Sequence, residues 1–306
     1  MNRNIRKISD GAMMLAILGA AVLLDRQLAG LFSGYMLWLM PMPMVFYSAK
    51  YGWKDSLPVL AAAAVIILIF GYAFTAFYGI VSCVIGVAYG SGVYEKKEGR
   101  ILLLRTMVLS VIMEFLAAYV FASVIGYDIT AEMADYEKII EMFSANSSAG
   151  IDLSSMISAR TLFVMSIVML GILEGYITHV LSVILLKRLN LPTVKSSPVR
   201  DWYPAKWTGY AGIVCLVMNS YLTFNKLPSE ALQAAGQTAG FFGSLYLALL
   251  GIIGMVIVIP AKYPSMKGWL LPLIFVLTIG FMPLVSAFGF LYITTDLHER
   301  AVKGEF

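Results

Sequence analysis

Charged residues are missing from one long stretch of the chain. The stretch runs from Ser56 to Tyr94 and holds 39 residues without an Asp, Glu, Lys or Arg. A single helix of that length would reach about 58 Å at 1.5 Å per residue, roughly twice the thickness of a bilayer core. The stretch therefore predicts two membrane-spanning helices joined by a turn near residues 74–79, where aromatic residues surround small and polar ones.

Apolar runs between charged residues predict about nine spans along the whole chain. The expected fold class is therefore all-α, a polytopic bundle of transmembrane helices. Eight spans result if one C-terminal segment enters and leaves the membrane on the same side. The nine predicted spans are residues 11–27, 30–49, 57–74, 76–94, 101–126, 157–186, 207–224, 237–260 and 269–292.

The composition suits a lipid-facing bundle better than a soluble domain. Hydrophobic residues make up 60% of the chain and charged residues 13%, and there are 18 methionines. The net charge of +4 does not indicate a nucleic-acid partner, because membrane orientation accounts for the basic residues. Cys83 and Cys215, the only cysteines, lie in apolar segments and predict neither a disulfide framework nor a metal site.

Basic residues are distributed unevenly between the two sides of this topology. With the N-terminus inside, fifteen of the 22 basic residues lie in inner segments, or sixteen if Arg105 is counted. This asymmetry predicts a cytoplasmic N-terminus in the bacterial cytoplasmic membrane. A ninth span places the C-terminus outside, whereas a re-entrant segment places it inside. Asp25-Arg26-Gln27 follows the first apolar run where a cleaved signal peptide would need small residues, so we expect an uncleaved first helix.

Two polar segments interrupt the spans. Residues 127–156 form a long, mostly acidic outer connection that predicts an amphipathic helix over residues 130–144. That helix is either an interfacial helix or a lid over a ligand site. Its apolar residues at helical spacing are Met133, Tyr136, Ile140 and Phe143. A proline-containing inner segment gives the second interruption, so the predicted domains are a six-helix domain at 1–190, a linker at 191–206 and a three-helix extension at 207–306.

Two carboxylates lie inside predicted spans, where a charge is costly. Glu114 is thirteen residues from the inner end of the fifth span and Glu174 twelve from that of the sixth, depths of about 20 and 18 Å. We therefore expect them at nearly one level on neighbouring helices, with Asn219 of the seventh span at a similar depth. Three interpretations stay open: hydrogen bonds between helices, contact with a polar or cationic ligand, and a proton or cation pathway.

Four further residues lie near the outer ends of spans, namely Arg26, Tyr78, Tyr119 and Arg160. They converge if the ends of the first, fourth, fifth and sixth spans adjoin. Arg160 suits an anionic group, which a guanidinium binds through two hydrogen bonds, or else it reaches towards lipid phosphate. The candidate substrate-binding residues are these four together with Glu114, Glu174 and Asn219.

Motifs of soluble enzymes are absent from the sequence. It contains no Walker A loop, no HExxH, no GxSxG and no cysteine–histidine pairing. His179 points to a different face from Glu174, and His298 lies in the C-terminal tail, which excludes a multi-histidine metal site. We therefore expect no enzymatic activity, no cofactor and no metal.

Three alanines of the first helix, Ala12, Ala16 and Ala20, are spaced four residues apart. Small residues at this spacing let two helix backbones approach closely. The helix they contact belongs either to the same chain or to a separate subunit.

The first six spans, with this alanine-bearing first helix, resemble the substrate-binding S components of energy-coupling-factor vitamin transporters. Met40-Pro41-Met42-Pro43 in the second span and the glycine-rich third and fourth spans share in the resemblance. The whole chain looks more specifically like the YybS-like family of bacterial membrane proteins. The residues that carry this second likeness are Leu191-Pro192, Arg200-Asp201-Trp202, Asn219, Gly236-Gln237 and the tail from Asp296 to Arg300.

The resemblance implies a binding protein with a docking face. In S components the alanine face docks on a coupling membrane subunit that works with ATPases, and ligand binds beneath the outer loops. In this chain those loops contain Arg26, residues 74–78 and the acidic segment that ends near Arg160. The three spans after Lys206 depart from the S-component pattern, and they either cover the alanine face or replace the coupling partner.

We therefore expect a protein that recognises or transports a small polar molecule without covalent catalysis. Its expected surroundings and partners are membrane lipid, a small-molecule ligand and, from the resemblance, an energy-coupling membrane subunit with ATPases. The alternative is a non-transporting membrane scaffold or regulatory partner, in which Glu114 and Glu174 hold helices together.

Overall fold

The computed structural model describes residues 3–31, 33–145, 157–194, 203–303 and 305. These residues form α-helices and a 3₁₀-helix at Pro264–Gly268, and no strand occurs among them. Several of the helices are long and apolar. The expected all-α polytopic bundle is therefore confirmed.

Within the described residues the α-helices are numbered in chain order. They are α1 (Arg3–Gln27), α2 (Ser33–Leu39), α3 (Pro41–Tyr51), α4 (Trp53–Phe70), α5 (Ala73–Tyr94), α6 (Gly99–Tyr119), α7 (Ala122–Ile125), α8 (Ile129–Ala145), α9 (Ala159–Arg188), α10 (Lys206–Phe224), α11 (Glu230–Lys262), α12 (Leu270–Gly280), α13 (Met282–Thr294) and α14 (Leu297–Lys303).

Six of these described helices are long and apolar enough to cross a membrane, judged by length and composition. They are α1 from Asn4 onwards, α4, α5, α6, α9 and α11, and the shorter α13 is also apolar. The charge-free stretch forms α4 and α5 as expected, but the turn between them falls at Gly71 and Tyr72 instead of residues 74–79. Gly71 has extended backbone dihedral angles, which end α4 earlier than the aromatic residues suggest.

Two predicted spans are each divided into two helices at a proline. The second span breaks at Met40, before α3 begins with Pro41, and the ninth breaks at Phe281, just before Pro283 in the first turn of α13. Proline has no backbone N–H to continue a helix and is favoured in the first helical turn. Hydrophobicity alone does not reveal these breaks, because the residues on both sides of them are apolar.

The chain divides into two compact units. One comprises Met1–Glu132 and Ser166–Ser196, and the other comprises Met133–Met165 and Ser197–Phe306. Helix α9 contributes its first residues to the second unit and its remainder to the first. The domain boundaries expected from the sequence stay a prediction.

In the first unit, α5 is the most buried of the candidate spans and packs against α3, α4 and α6. Its contact with α3 is closest at two glycines. A Cβ atom on Gly86 would meet the carbonyl oxygen of Pro41, and one on Gly90 would meet Val45 and Ser48. Small residues at this four-residue spacing let the two backbones touch, which is a common way to pack helices in lipid.

Polar contacts fasten the start of α1 to its neighbours in the first unit. Lys7 forms an ion pair with Asp55 of α4. Asp10 accepts hydrogen bonds from Lys50 and, at 2.7 Å, from the hydroxyl of Tyr51, both on α3. The hydrogen bond to Asp10 raises the pKa of Lys50. The N-terminal turns of α1 are therefore held by ion pairs and hydrogen bonds. Its later turns pack through the buried apolar residues Leu18 and Val22, and Asp25 near the end of the helix is also buried.

The second unit is built around α11, which packs against α10 and α13. Glycines again mark the closest contact. A Cβ atom on Gly251 would meet the carbonyl oxygen of Val285, and one on Gly289 would meet that of Leu247. Backbone contact through glycine therefore recurs in both units.

The C-terminal helix α14 is fixed to the second unit by His298. The imidazole of His298 stacks on the ring of Tyr203, with 4.5 Å between ring centroids. Its Nδ1 is 2.6 Å from the hydroxyl of Tyr292. Burial raises the pKa of Tyr203, so its hydroxyl stays protonated and donates to the carbonyl oxygen of Ile293 at 2.7 Å. His298 therefore has a packing role in this unit.

We expect Gly90→Ala to destabilise the protein, because the added methyl group would meet the backbone of α3. Overpacking typically costs about 1–3 kcal/mol, which outweighs the gain of about 1 kcal/mol from replacing glycine in a helix. The measurement is the midpoint of thermal unfolding in detergent. Gly34→Ala is the matched control, since a Cβ atom there would have nothing within 4 Å. Equal midpoints for the two variants would contradict the close contact.

Candidate functional site

The two membrane carboxylates lie on α6 and α9, which glycine brings into contact. A Cβ atom on Gly171 would lie 2.6 Å from the Cα atom of Val111, and one on Gly175 would lie 2.5 Å from that of Met107. At distances this short the helix backbones touch, which a residue with a side chain would prevent. Glu174 precedes Gly175 directly, so its position is fixed by this contact.

The same glycines set the register between the two helices. Gly175 follows Gly171 by four residues, and its contact Met107 precedes Val111 by four, so the helices run antiparallel. Counting on from these contacts puts Glu114 and Glu174 six residues apart along the helix axis, about 9 Å. From the sequence we expect them at nearly one level. The observed register differs because the glycines, and not the positions of the helix ends, determine how the helices align.

Glu114 and Glu174 are both buried, with 6% and 5% of their surface exposed. The hydroxyl of Tyr78 on α5 donates a hydrogen bond to Oε2 of Glu114 at 3.2 Å. Glu174 lies next to the glycine contact that joins α9 to α6, the helix that carries Glu114. Tyr78, Glu114 and Glu174 therefore form one group, which we term the carboxylate site.

Three buried hydroxyl groups extend the carboxylate site along the same helix faces. Ser110 precedes Glu114 by four residues, and Thr178 and Ser182 follow Glu174 by four and eight. Their side-chain oxygens are buried and make no hydrogen bond to any residue that the structure describes. We term these three residues the hydroxyl row. A buried hydroxyl without a partner costs about 1–3 kcal/mol, so a hydrogen-bonding species would be stabilised there.

Three of the predicted outer residues belong to the first unit. Tyr78 joins the carboxylate site. Arg26 donates to the carbonyl oxygen of Phe70 at 3.5 Å, and the exposed Tyr119 stacks on Phe115 with 6.0 Å between ring centroids. Of these three residues, the structure thus brings Tyr78 together with the two glutamates.

Arg160 and Asn219 belong to the second unit. Arg160 forms an ion pair with Glu230 at 3.6 Å, between exposed side chains, where such a pair contributes about 0–1 kcal/mol. Asn219 packs against α11 at Gly240, where a Cβ atom would meet its side chain. The binding roles of Arg160 and Asn219 stay predictions.

Several buried polar residues escape the sequence analysis. Asp25 is fully buried near the end of α1 and accepts a hydrogen bond from Thr75 Oγ1 at 3.0 Å. In the second unit, Thr161 donates to the buried amide oxygen of Gln237 at 2.9 Å. In the sequence, Asp25 argues only against signal-peptide cleavage. Polar residues within apolar runs were the available signal, and the same signal marks the hydroxyl row.

The amphipathic helix expected over residues 130–144 is confirmed as α8. Ile140 on its apolar face is buried, and Tyr136 contacts Phe163 with 6.1 Å between ring centroids. Phe143 and Met142 are exposed. The rest of the acidic connection, residues 146–156, lies outside the described residues, and the lid role stays a prediction.

The alanines of α1 lie on an exposed face. Ala12, Ala16 and Ala20 are exposed, together with the apolar side chains of Met13 and Ile17 between them. The buried face of the same helix carries Met14, Leu18 and Val22 instead. We term the exposed alanines the alanine face.

The histidines make hydrogen bonds to tyrosine. Nδ1 of His179 lies 3.1 Å from the hydroxyl of Tyr89, and His298 pairs with Tyr292 as described above. In the part of the chain that the structure describes, no group of three or more His, Cys, Asp or Glu side chains could hold a metal ion.

A family model for predicted membrane proteins, DUF2232, matches residues 17–294. The chain belongs to this family. No curated protein and no solved structure is similar enough to the chain to match it. This DUF2232 protein is thus an integral membrane protein, and the match contains both the carboxylate site and the hydroxyl row.

Proposed function

We propose that this DUF2232 protein recognises or transports a small polar molecule at the carboxylate site, without covalent catalysis. The observation that carries the proposal is the burial of two carboxylates on membrane-spanning helices. Such residues are costly in lipid and usually face a bundle interior or a polar species. Carboxylate oxygens only accept hydrogen bonds when ionised, so the favoured ligand carries a cationic nitrogen or several N–H and O–H donors.

The alanine face supports an S-component-like version of this function. Its residues are exposed on a spanning helix, and small residues at four-residue spacing permit close contact with another helix. We propose that a separate energy-coupling membrane subunit, associated with ATPases, docks on this face. Exposure to lipid is the competing explanation, and the partner experiment below separates the two.

A scaffold function is favoured by a different observation. The Tyr78–Glu114 hydrogen bond links α5 to α6, and the glycine contact links α6 to α9, so the same residues hold three helices together. In that case the carboxylates would stabilise the fold and bind no ligand.

The positive-charge asymmetry supports an orientation as well. We propose that the protein lies in the bacterial cytoplasmic membrane with its N-terminus in the cytoplasm. The α5–α6 turn would then face the cytoplasm, and the start of α8 would face outward.

We expect Glu114→Gln and Glu174→Gln to lose a bound small molecule while remaining folded. Glutamine keeps the size and hydrogen-bonding capacity but removes the charge. The measurement is mass spectrometry of the full chain after mild detergent purification, together with the folded yield. Under the scaffold function the Gln variants resemble the wild type, whereas Glu114→Leu and Glu174→Leu lose folded protein. If both Gln variants retained the ligand, the carboxylate charge would have no part in the proposed binding.

We expect Ala16→Leu to abolish association with a coupling subunit, because leucine would block close helix approach. The measurement is co-purification from the native membrane followed by identification of the partner. Ala61→Leu is the matched control, since Ala61 is an exposed alanine on another spanning helix. If the wild type captures no coupling subunit, the energy-coupling version of the function is wrong.

We expect a cysteine at Glu98 to resist membrane-impermeant thiol reagents in whole cells and one at Thr130 to react. Both positions are exposed at the ends of helices, on opposite sides of the proposed topology. The background lacks Cys83 and Cys215, so each variant carries one thiol. The opposite labelling pattern would mean that the protein has the reverse orientation in the membrane.

A further inference from the structure

We propose that protons pass through the α6–α9 pair by way of Glu174 and the hydroxyl row, and that this proton movement accompanies ligand binding at the carboxylate site. The inference rests on the proposed function and adds a proton pathway to it. Three features support it: the register of the two helices, the hydroxyls without a hydrogen-bond partner among the described residues, and the titratable groups near Glu174.

The register places the polar groups of both helices in a single line. Along the axis of α6 their order is Glu114, Ser110, Glu174, Thr178 and Ser182. Successive groups are two to four residues apart, about 3–6 Å along the axis. One water molecule between two side chains makes two O–H···O hydrogen bonds of about 2.8 Å each and so reaches about 5.6 Å, a length comparable to these spacings. The line is therefore spaced for proton transfer from one group to the next.

The line leads from the carboxylate site to one end of the helix pair. Counting from the glycine contacts puts Ser182 level with Arg100, one residue from the start of α6. Glu114, at the other end of the line, lies about 21 Å away along the axis. The hydroxyl row thus connects buried carboxylates with a helix end at which charged residues occur.

The hydroxyls of this row differ from the buried hydroxyl of Thr106 on α6. Serine and threonine in helices commonly bond a carbonyl oxygen three or four residues earlier. Thr106 does this, because its hydroxyl donates to Leu102 at 2.6 Å and Leu103 at 3.0 Å. Ser110, Thr178 and Ser182 have no such partner among the described residues. Each can therefore accept a proton from one side and donate one to the other.

The groups facing Glu174 favour a single shared proton. Glu114 lies across the α6–α9 contact from Glu174, and Tyr78 from α5 donates a hydrogen bond to Glu114. His179 lies on another flank of α9 and contacts Tyr89. Two buried carboxylates resist double ionisation, so one of them holds a proton. In the transfer step the Thr178 O–H bond breaks as its proton bonds to the Glu174 carboxylate, and the Thr178 oxygen takes a replacement proton from the Ser182 side. The reverse step restores the starting state without any redox change.

The test measures proton entry into liposomes that contain the full chain and the pH-sensitive dye pyranine. A pH step is applied outside, with valinomycin and potassium holding the membrane potential at zero. We expect protons to enter liposomes with the wild type faster than they enter empty liposomes. With Glu174→Gln the rate of proton entry should equal that of empty liposomes, and Thr178→Val should lower the protein-dependent rate about tenfold. Thr106→Val is the matched control, because Thr106 is equally buried but already bonded, and its rate should equal that of the wild type.

Two results would overturn the proposal: a wild-type rate equal to that of empty liposomes, or equal rates for Thr178→Val and Thr106→Val. Ser182→Ala gives a second break in the line if Thr178→Val does not fold. Mass spectrometry of the same samples keeps the two proposals distinct. A bound molecule without proton entry overturns the proton pathway alone, whereas proton entry without any bound molecule overturns the proposed function.

Discussion

Contact between helix backbones at glycine is the interaction on which the rest of this structure depends. Lipid offers little hydrophobic drive between helices, so packing and hydrogen bonds must hold a bundle together. Gly86 and Gly90 set the approach of α5 to α3, and Gly171 and Gly175 set that of α9 to α6. A methyl group at any of these four positions would meet a neighbouring helix. The register of the polar residues therefore follows from where the glycines lie.

That register explains why the polar groups form a line and not a scattered set. Glu174 lies beside Gly175, and Thr178 and Ser182 continue the same face of α9 at four-residue spacing. On α6, Ser110 and Glu114 continue the face that the glycines contact. Because both helices present their polar residues to one interface, each hydroxyl lies within a few ångströms of the next along the axis. The same residues on unrelated faces would be isolated and costly.

The sequence predicts the fold class, α8 and the position of both glutamates within spanning helices, because charge-free runs and helical spacing carry that information locally. It does not predict the breaks at Pro41 and Pro283, since apolar residues surround both. The six-residue offset between Glu114 and Glu174 also escapes prediction. Depths counted from helix ends ignore the glycine contacts that align α6 with α9. The hydroxyl row is recoverable only once these contacts are known, because isolated serines and threonines are common in membrane helices.

The hydroxyl row also bears on whether the carboxylate site is structural or functional. A polar interface that served only to hold helices together would be expected to pair its groups, as Tyr78 pairs with Glu114 and Thr106 with its own helix. The row instead buries three hydroxyls that have no partner among the described residues, each at a cost of about 1–3 kcal/mol. Alanine or valine at these positions would avoid that cost. A cost of this size, in a row that leads away from two buried carboxylates, favours the proposed contact with a transferred species over a purely structural role.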